Sequence, residues 1–165
     1  MKIILSSNEF FTLLKVSNMA ILNSGFKLFH PWVNDVVKGK LNFLVRSIPI
    51  KIRGRVAVIS TNRIDKNWLE NASYQEILKL KNKKGAIGSV EIKDCIEVKL
   101  NEVENQLIYL AGKKYWDYYP KHLIPSYTRI GKLYIWILDK PKEWKELTQV
   151  KSRGITWAKI SLEDS

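Results

Sequence analysis

Apolar positions recur at helical spacing near the start of this chain, at strand spacing through most of its middle, and at both in turn towards its end. Phe10, Leu13, Leu14 and Ile21 form one helical stripe, and Ser6 with Glu9 three places later has the form of a capping box. A helix from about Asn8 is therefore expected within an N-terminal extension, residues 1–25, that must pack against something. Asn23-Ser24-Gly25 breaks the stripe, and Phe26 to Phe29 reads as a short strand entering His30-Pro31-Trp32. Pro31 suits the first turn of a helix through Val33, Val36 and Val37 that stops at Gly39. From Leu41 the chain becomes extended, and Arg53 to Ser60 reads as a strand opened by Gly54 with Val56 and Val58 on one face.

Helical spacing returns through Trp68, Leu69, Ile77 and Leu80 in the segment Asn67 to Leu80. Ala86 to Glu91 and Ile92 to Leu100 then make in effect one long ribbon. A helix capped by Asn101, with Glu102 and Glu104 in its first turn, is expected as far as Leu110. Lys132 to Leu138 is strand-like and stopped by Pro141, and Gly154 to Ile160 is a last strand. Five to six strands with two to four flanking helices and no βαβ rhythm predict an α+β fold, a small mixed β-barrel formed by residues 26–165.

At 165 residues and 45% hydrophobic content, the chain can close one sizeable core but not two. No apolar run approaches the roughly 18 residues that cross a bilayer, and Met1 to Leu5 is too short for a signal-peptide core. A cytoplasmic protein without membrane contact is expected. Cys95, the single cysteine, cannot form an internal disulfide or a zinc site and reads as a buried structural thiol, so no cofactor is implied.

Charge changes the picture more than composition does. Between Phe26 and Arg63, Lys27, Lys38, Lys40, Arg46, Lys51, Arg53, Arg55 and Arg63 face one acid, Asp35, so this stretch holds +7 of the formal +12. A clustered cationic surface attracts polyanions and releases counterions when it docks, which points to nucleic acid or nucleotide phosphate.

Five motifs in order resemble an ASCH domain, a branch of the PUA-like superfamily of small β-barrels. They are Phe26 to Trp32, then Val37-Lys38-Gly39-Lys40 with Arg46 seven after the glycine, then Arg53 to Ser60, Gly85 to Cys95, and Gly154 with Trp157. The resemblance covers about residues 26 to 160 and implies an RNA-binding or nucleotide-handling fold with a cleft between barrel and first helix. Family members that hydrolyse acylated cytidines carry a lysine two residues after the motif glycine, a threonine three further on and a glutamate in a later helix. Here the first two positions are Leu41 and Leu44, and leucine can neither attack an amide nor shuttle a proton. Glu102 or Glu104 could stand for the third, but a helix N-terminus explains both without catalysis.

The resemblance sets Arg46 beside that cleft, where a guanidinium can grip a phosphate with two prongs. The competing role is a salt bridge to Glu91 or Asp94. Arg53 and Arg55 alternate with Gly54 as a phosphate track would, and Lys38, Lys40 and Arg63 extend the basic face. His30, Trp32, Thr61 and Asn62 are expected to line the cleft with Arg46. Lys113 to His122 mixes aromatic and basic residues in an expected loop, where Tyr115 and Trp116 could stack on bases. The favoured reading is a module that binds RNA or another single-stranded nucleic acid, with a nucleotide as an alternative ligand. Its rivals are a hydrolase using the same cleft on a modified nucleoside or RNA (an amidohydrolase or a ribonuclease, for instance through His30 with Lys40), and a protein-interaction subunit that docks a partner through residues 1–25.

Overall fold

The computed structural model describes residues 20–80, 84–126, 128, 130–152, 154 and 156–165. Of the helix expected from about Asn8 within residues 1–25, the part up to residue 19 lies outside them, and Ile21, placed on its stripe, begins a strand instead. Among the described residues, six strands make one sheet curled into a half-barrel: β1 (Ile21–His30), β2 (Phe43–Arg46), β3 (Gly54–Ile64), β4 (Gly85–Lys99), β5 (Lys132–Thr148) and β6 (Trp157–Glu163), in spatial order β2-β5-β4-β3-β1-β6. β1 and β3 run parallel, with Phe26 opposite Val58 and Leu28 opposite Ser60, and the other neighbours are antiparallel. The fold is α+β, with α1 (Trp32–Val37), α2 (Lys66–Asn71), α3 (Tyr74–Leu80), α4 (Val103–Ala111) and α5 (Lys113–Tyr118) among the described residues.

The largest apolar cluster lies inside the curl. Phe26 and Leu28 of β1, Val56 and Val58 of β3, Trp136 of β5 and the α1 valines are all nearly fully buried there. Ala57 and Ile59 point the other way, into a smaller cluster with Trp144 and Ala158, so the middle of β3 is buried on both faces. Gly88 permits the close packing of α1: a Cβ there would stand 2.2 Å from the Lys142 carbonyl oxygen and 2.7 Å from a Val37 methyl. Gly39 ends α1 as expected, taking a φ of 78° just past the C-cap.

Several boundaries differ from those expected. β1 begins at Ile21, so the Asn23-Ser24-Gly25 break falls within a strand paired to β6 on one side and β3 on the other. The helix over 67–80 is two helices. Ala72 is extended, and the Ser73 hydroxyl accepts the Glu76 backbone N–H at 3.2 Å, which starts α3 afresh. No side chain of α2 or α3 is buried, although their apolar spacing suggested a packed face. Asn101 lies in a 3₁₀ turn ahead of α4, whose N-cap, Glu102, makes no side-chain cap.

Pro141 does not stop β5. Only its first part pairs with β2, so Pro141 meets no ladder partner on that side, and a register shift places an extra residue there beside Lys140 at φ 47°. The expected loop at 113–122 is α5 followed by a 3₁₀ turn, Lys121–Leu123, with Lys113 and Asp117 paired across one turn at 3.1 Å.

Candidate nucleic-acid interface

Because β3 runs beside β1, its far half carries Ser60, Thr61 and Asn62 to the mouth of a cavity of about 550 Å³. Lys27 of β1, Lys84 ahead of β4 and Lys151 after β5 bring three cations to its rim, and none of the described lining residues is acidic. The Lys27 ammonium donates to the carbonyls of Ser152 at 2.9 Å and Gly154 at 2.5 Å, so it fixes that wall while Lys84 and Lys151 stay exposed. Thr61 and Asn62 are where a cleft was expected. Lys27 was counted in the basic stretch but not placed at the cleft, and Lys84 and Lys151 were not singled out, because the three come together only when β1, β4 and the end of β5 meet.

Arg46 sits at the end of β2, half-buried, and reaches across to β1. One guanidinium nitrogen donates to the Lys27 carbonyl at 3.3 Å, and the guanidinium carbon lies 5.2 Å from the Trp136 ring centroid. Burial lowers its pKa from the usual arginine value. Neither of the expected carboxylates pairs with it: Glu91 meets Lys140 at 3.5 Å and Asp94 meets Arg53 at 3.4 Å. Asp35, the acid of its own segment, accepts the Tyr118 hydroxyl at 2.6 Å. Arg46 opens instead on a second cavity, of about 200 Å³, with Ser47, Leu123, Pro125 and Thr156.

That cavity contains neither Trp32 nor Thr61 and Asn62, so the single cleft expected from the sequence is divided. Trp32 belongs to another group. Its indole N–H donates to Asp65 at 2.5 Å, His122 meets the same carboxylate oxygen, and Asp65 also accepts the Asn67 N–H at 3.0 Å as the N-cap of α2. Burial alone would raise the Asp65 carboxyl, but the hydrogen bonds from His122, Trp32 and Asn67 together hold it below its usual value. His30 is 2% exposed, and its carbonyl accepts the Asp65 N–H at 2.8 Å. His30, Trp32, Asp65 and His122 thus join α1, α2 and the 121–123 turn. A third cavity, of about 380 Å³, runs from His122 and Asp65 to Arg63, whose guanidinium carbon stands 5.5 Å from the Phe29 ring centroid. Asp65 was legible as a strand-end residue placed to cap a helix, yet it carried no motif.

The remaining basic residues separate by what already holds them. Arg55 donates to the Ser89 hydroxyl and the Lys140 carbonyl, each at 2.8 Å, and stands 3.6 Å from Asp164. Arg53 donates to the Ile50 carbonyl at 2.9 Å besides its ion pair with Asp94. The two arginines therefore have separate partners. Lys38 and Lys40 are exposed beyond the end of α1.

The aromatic segment is mostly structural. β2 is an edge strand, and its outward N–H groups are satisfied by phenols: Tyr115 accepts from Asn42 and Phe43 at 3.1 and 3.0 Å, and Tyr119 from Val45 at 3.0 Å. Burial raises the Tyr115 phenol, and pushes that of Tyr119 up to about 12. Tyr115 is thus no free stacking platform, and the Lys121 ammonium covers the Trp116 ring at 4.8 Å. Leu41 and Leu44 are core residues, 0% and 2% exposed.

Comparison with known proteins is decided by architecture, since no family model and no curated protein matches the sequence. The crystal structure of ASCH from Zymomonas mobilis matches with a TM-score of 0.53 and 12% identity, over 83% of this chain and 86% of that one. The chain has the ASCH fold. A tyrosine-to-phenylalanine and a serine-to-alanine mutant of the same Zymomonas mobilis protein match equally well, at 12% and 13% identity and with 88% and 87% of their chains covered. On the ASCH fold as it occurs here, the five sequence motifs fall on β1 with α1, the α1 end with β2, β3, β4, and the entry to β6. No described helix is long and apolar enough to cross a membrane.

Proposed function

We propose that this ASCH-fold protein binds single-stranded nucleic acid, RNA foremost, across the cavity between Lys27, Lys84 and Lys151 and the adjoining Arg46 cleft. The observation that carries the reading is the composition of the larger cavity: among its described lining residues there are three lysines and no acid, with hydroxyl and amide groups from Thr61, Asn62 and Gln149. Cations of one sign supply affinity for a phosphate backbone, and neutral polar groups between them suit the edges of an unpaired base. A volume of about 550 Å³ is in the range of ligand sites and takes a nucleotide unit but not a duplex. Arg63, over Phe29, adds a further cation near the end of β3. Cytoplasmic residence goes with this reading, and the free thiol of Cys95 is in keeping with it.

Fluorescence anisotropy with a labelled oligoribonucleotide tests the reading. Single-stranded RNA should bind more tightly than the matching duplex, and Lys84→Glu with Lys151→Glu should weaken it at least about tenfold while circular dichroism stays unchanged. Equal affinity of the folded double variant would remove the cavity from the interface.

A further inference from the structure

We propose that the cleft beside Arg46 receives a terminal phosphate monoester, so that the protein holds a strand by its phosphorylated end. This rests on the single-stranded reading above and adds the chemical group recognised. The argument begins with donors left over. A guanidinium carries five N–H groups; among the described residues, that of Arg46 makes one hydrogen bond, to the Lys27 carbonyl, and one ring contact, to Trp136. Removing such a cation from water without a carboxylate costs free energy, in agreement with its lowered pKa, and a bound anion would return what is lost.

The surroundings select the anion. Ser47 and Thr156 are hydroxyl-bearing residues of its lining, Leu123 and Pro125 wall it with apolar surface, and none of its described lining residues is acidic. Hydroxyls and a planar fork match the tetrahedral oxygens of phosphate. At about 200 Å³ the cavity is smaller than the roughly 300 Å³ at which ligand sites begin, so it suits a phosphate group and not a whole nucleotide. An internal diester would have to bring a sugar on each side. A monoester enters with one tether and a greater charge.

The tether has somewhere to go. The Thr156 carbonyl accepts the Lys27 N–H at 2.8 Å, and Lys27 also lines the larger cavity. The 27–156 contact is therefore the partition between the two, and a phosphate beside Arg46 leaves its nucleoside next to the lysine-rimmed space.

The test compares three oligoribonucleotides of one sequence, ending in a five-prime phosphate, a three-prime phosphate or hydroxyls alone, with wild-type protein and Arg46→Gln. One phosphorylated end should bind at least about tenfold more tightly than the hydroxyl-ended strand, and Arg46→Gln should erase that preference, bringing the three strands to one affinity. Equal binding of all three by the wild type overturns the phosphate site and leaves the broader reading standing. If none binds, the broader reading fails, and calorimetry with uridine monophosphate against uridine judges the cleft alone: heat from the phosphate form only, lost in Arg46→Gln, supports it, and no heat from either overturns it. Should Arg46→Gln not fold, the comparison among strands on the wild type still decides.

Discussion

Arg46 and Arg55 belong to the same basic stretch, yet the regions around them are built in opposite ways. At Arg55 the charge is consumed. Asp164, whose side chain is only 8% exposed, accepts the Ser89 hydroxyl at 2.7 Å and the Trp144 indole at 3.0 Å, and stands 3.6 Å from both Arg55 and Lys142. This knot ties the end of the chain to β3, β4 and β5. At Arg46 no described carboxylate answers the charge, and two cavities open on either side of the Lys27 backbone that it touches. Positive charge in a sequence is thus divided by folding into cations that hold the protein together and cations still able to hold something else.

The largest effect expected from this contrast is on stability. Asp164→Ala should cost about 3 kcal/mol in urea unfolding, because it strands Arg55, Ser89 and Trp144 together. Arg46→Gln should cost less than about 1 kcal/mol, because the loss of a long hydrogen bond to the Lys27 carbonyl and of a ring contact is offset by no longer burying a cation without a carboxylate. Equal losses would erase the distinction.

The edge strand that carries Arg46 should owe its stability to phenols. Tyr115→Phe and Tyr119→Phe should each cost about 1–2 kcal/mol, since they leave the N–H groups of Asn42 and Phe43, or that of Val45, without an acceptor. Thermal unfolding measures this, and a neutral Tyr119→Phe would show that the phenol does not close the edge.

Smaller effects should appear as pH dependence. Burial opposes ionisation of Asp164, but its hydrogen bonds from Ser89 and Trp144 with the charges of Lys142 and Arg55 hold it below its usual value, as the bonds to Asp65 do there. A carboxylate depressed in the folded state adds stability that is complete above the unfolded value, about 4, and is lost as pH falls through the folded one. Stability should therefore decline below about pH 4, and less steeply in Asp164→Asn. The raised Tyr119 phenol works in the other direction, adding stability that is lost as pH rises from 10.0 towards about 12. Urea midpoints across pH measure both, and an Asp164→Asn acid limb as steep as wild type would contradict the first.

The barrel was readable where β-branched runs were long. Val56 to Ile59 and the ribbon from Gly85 to Lys99 contain little that could compete with a strand. Elsewhere the local rules conflicted. Ser73, whose hydroxyl accepts the Glu76 N–H, caps a new helix and splits the expected one, but the apolar spacing on either side of it hid the break. Pro141 looked like a strand stop because its position, beyond the end of β2, depends on tertiary pairing. For the site, the cations were legible and their availability was not. Arg53 finds Asp94 and Arg55 finds Asp164, acids 41 and 109 residues further on, and no local pattern shows such partnerships. Trp32 looked like part of the cleft because Asp65 and His122, which claim it, come from two other elements.

The salt dependence of single-stranded RNA binding tests the central claim most directly, measured for wild type, for Lys84→Glu with Lys151→Glu, and for Arg53→Glu. Each phosphate contact adds roughly 0.7 to the logarithmic slope, so the cavity double variant should lose about 1.4 of it along with its affinity. Arg53→Glu, which breaks an exposed ion pair outside the cavity, should keep nearly the wild-type slope. A slope unchanged in the cavity variant, or lost equally in Arg53→Glu, would contradict an interface built around the lysine-rimmed cavity.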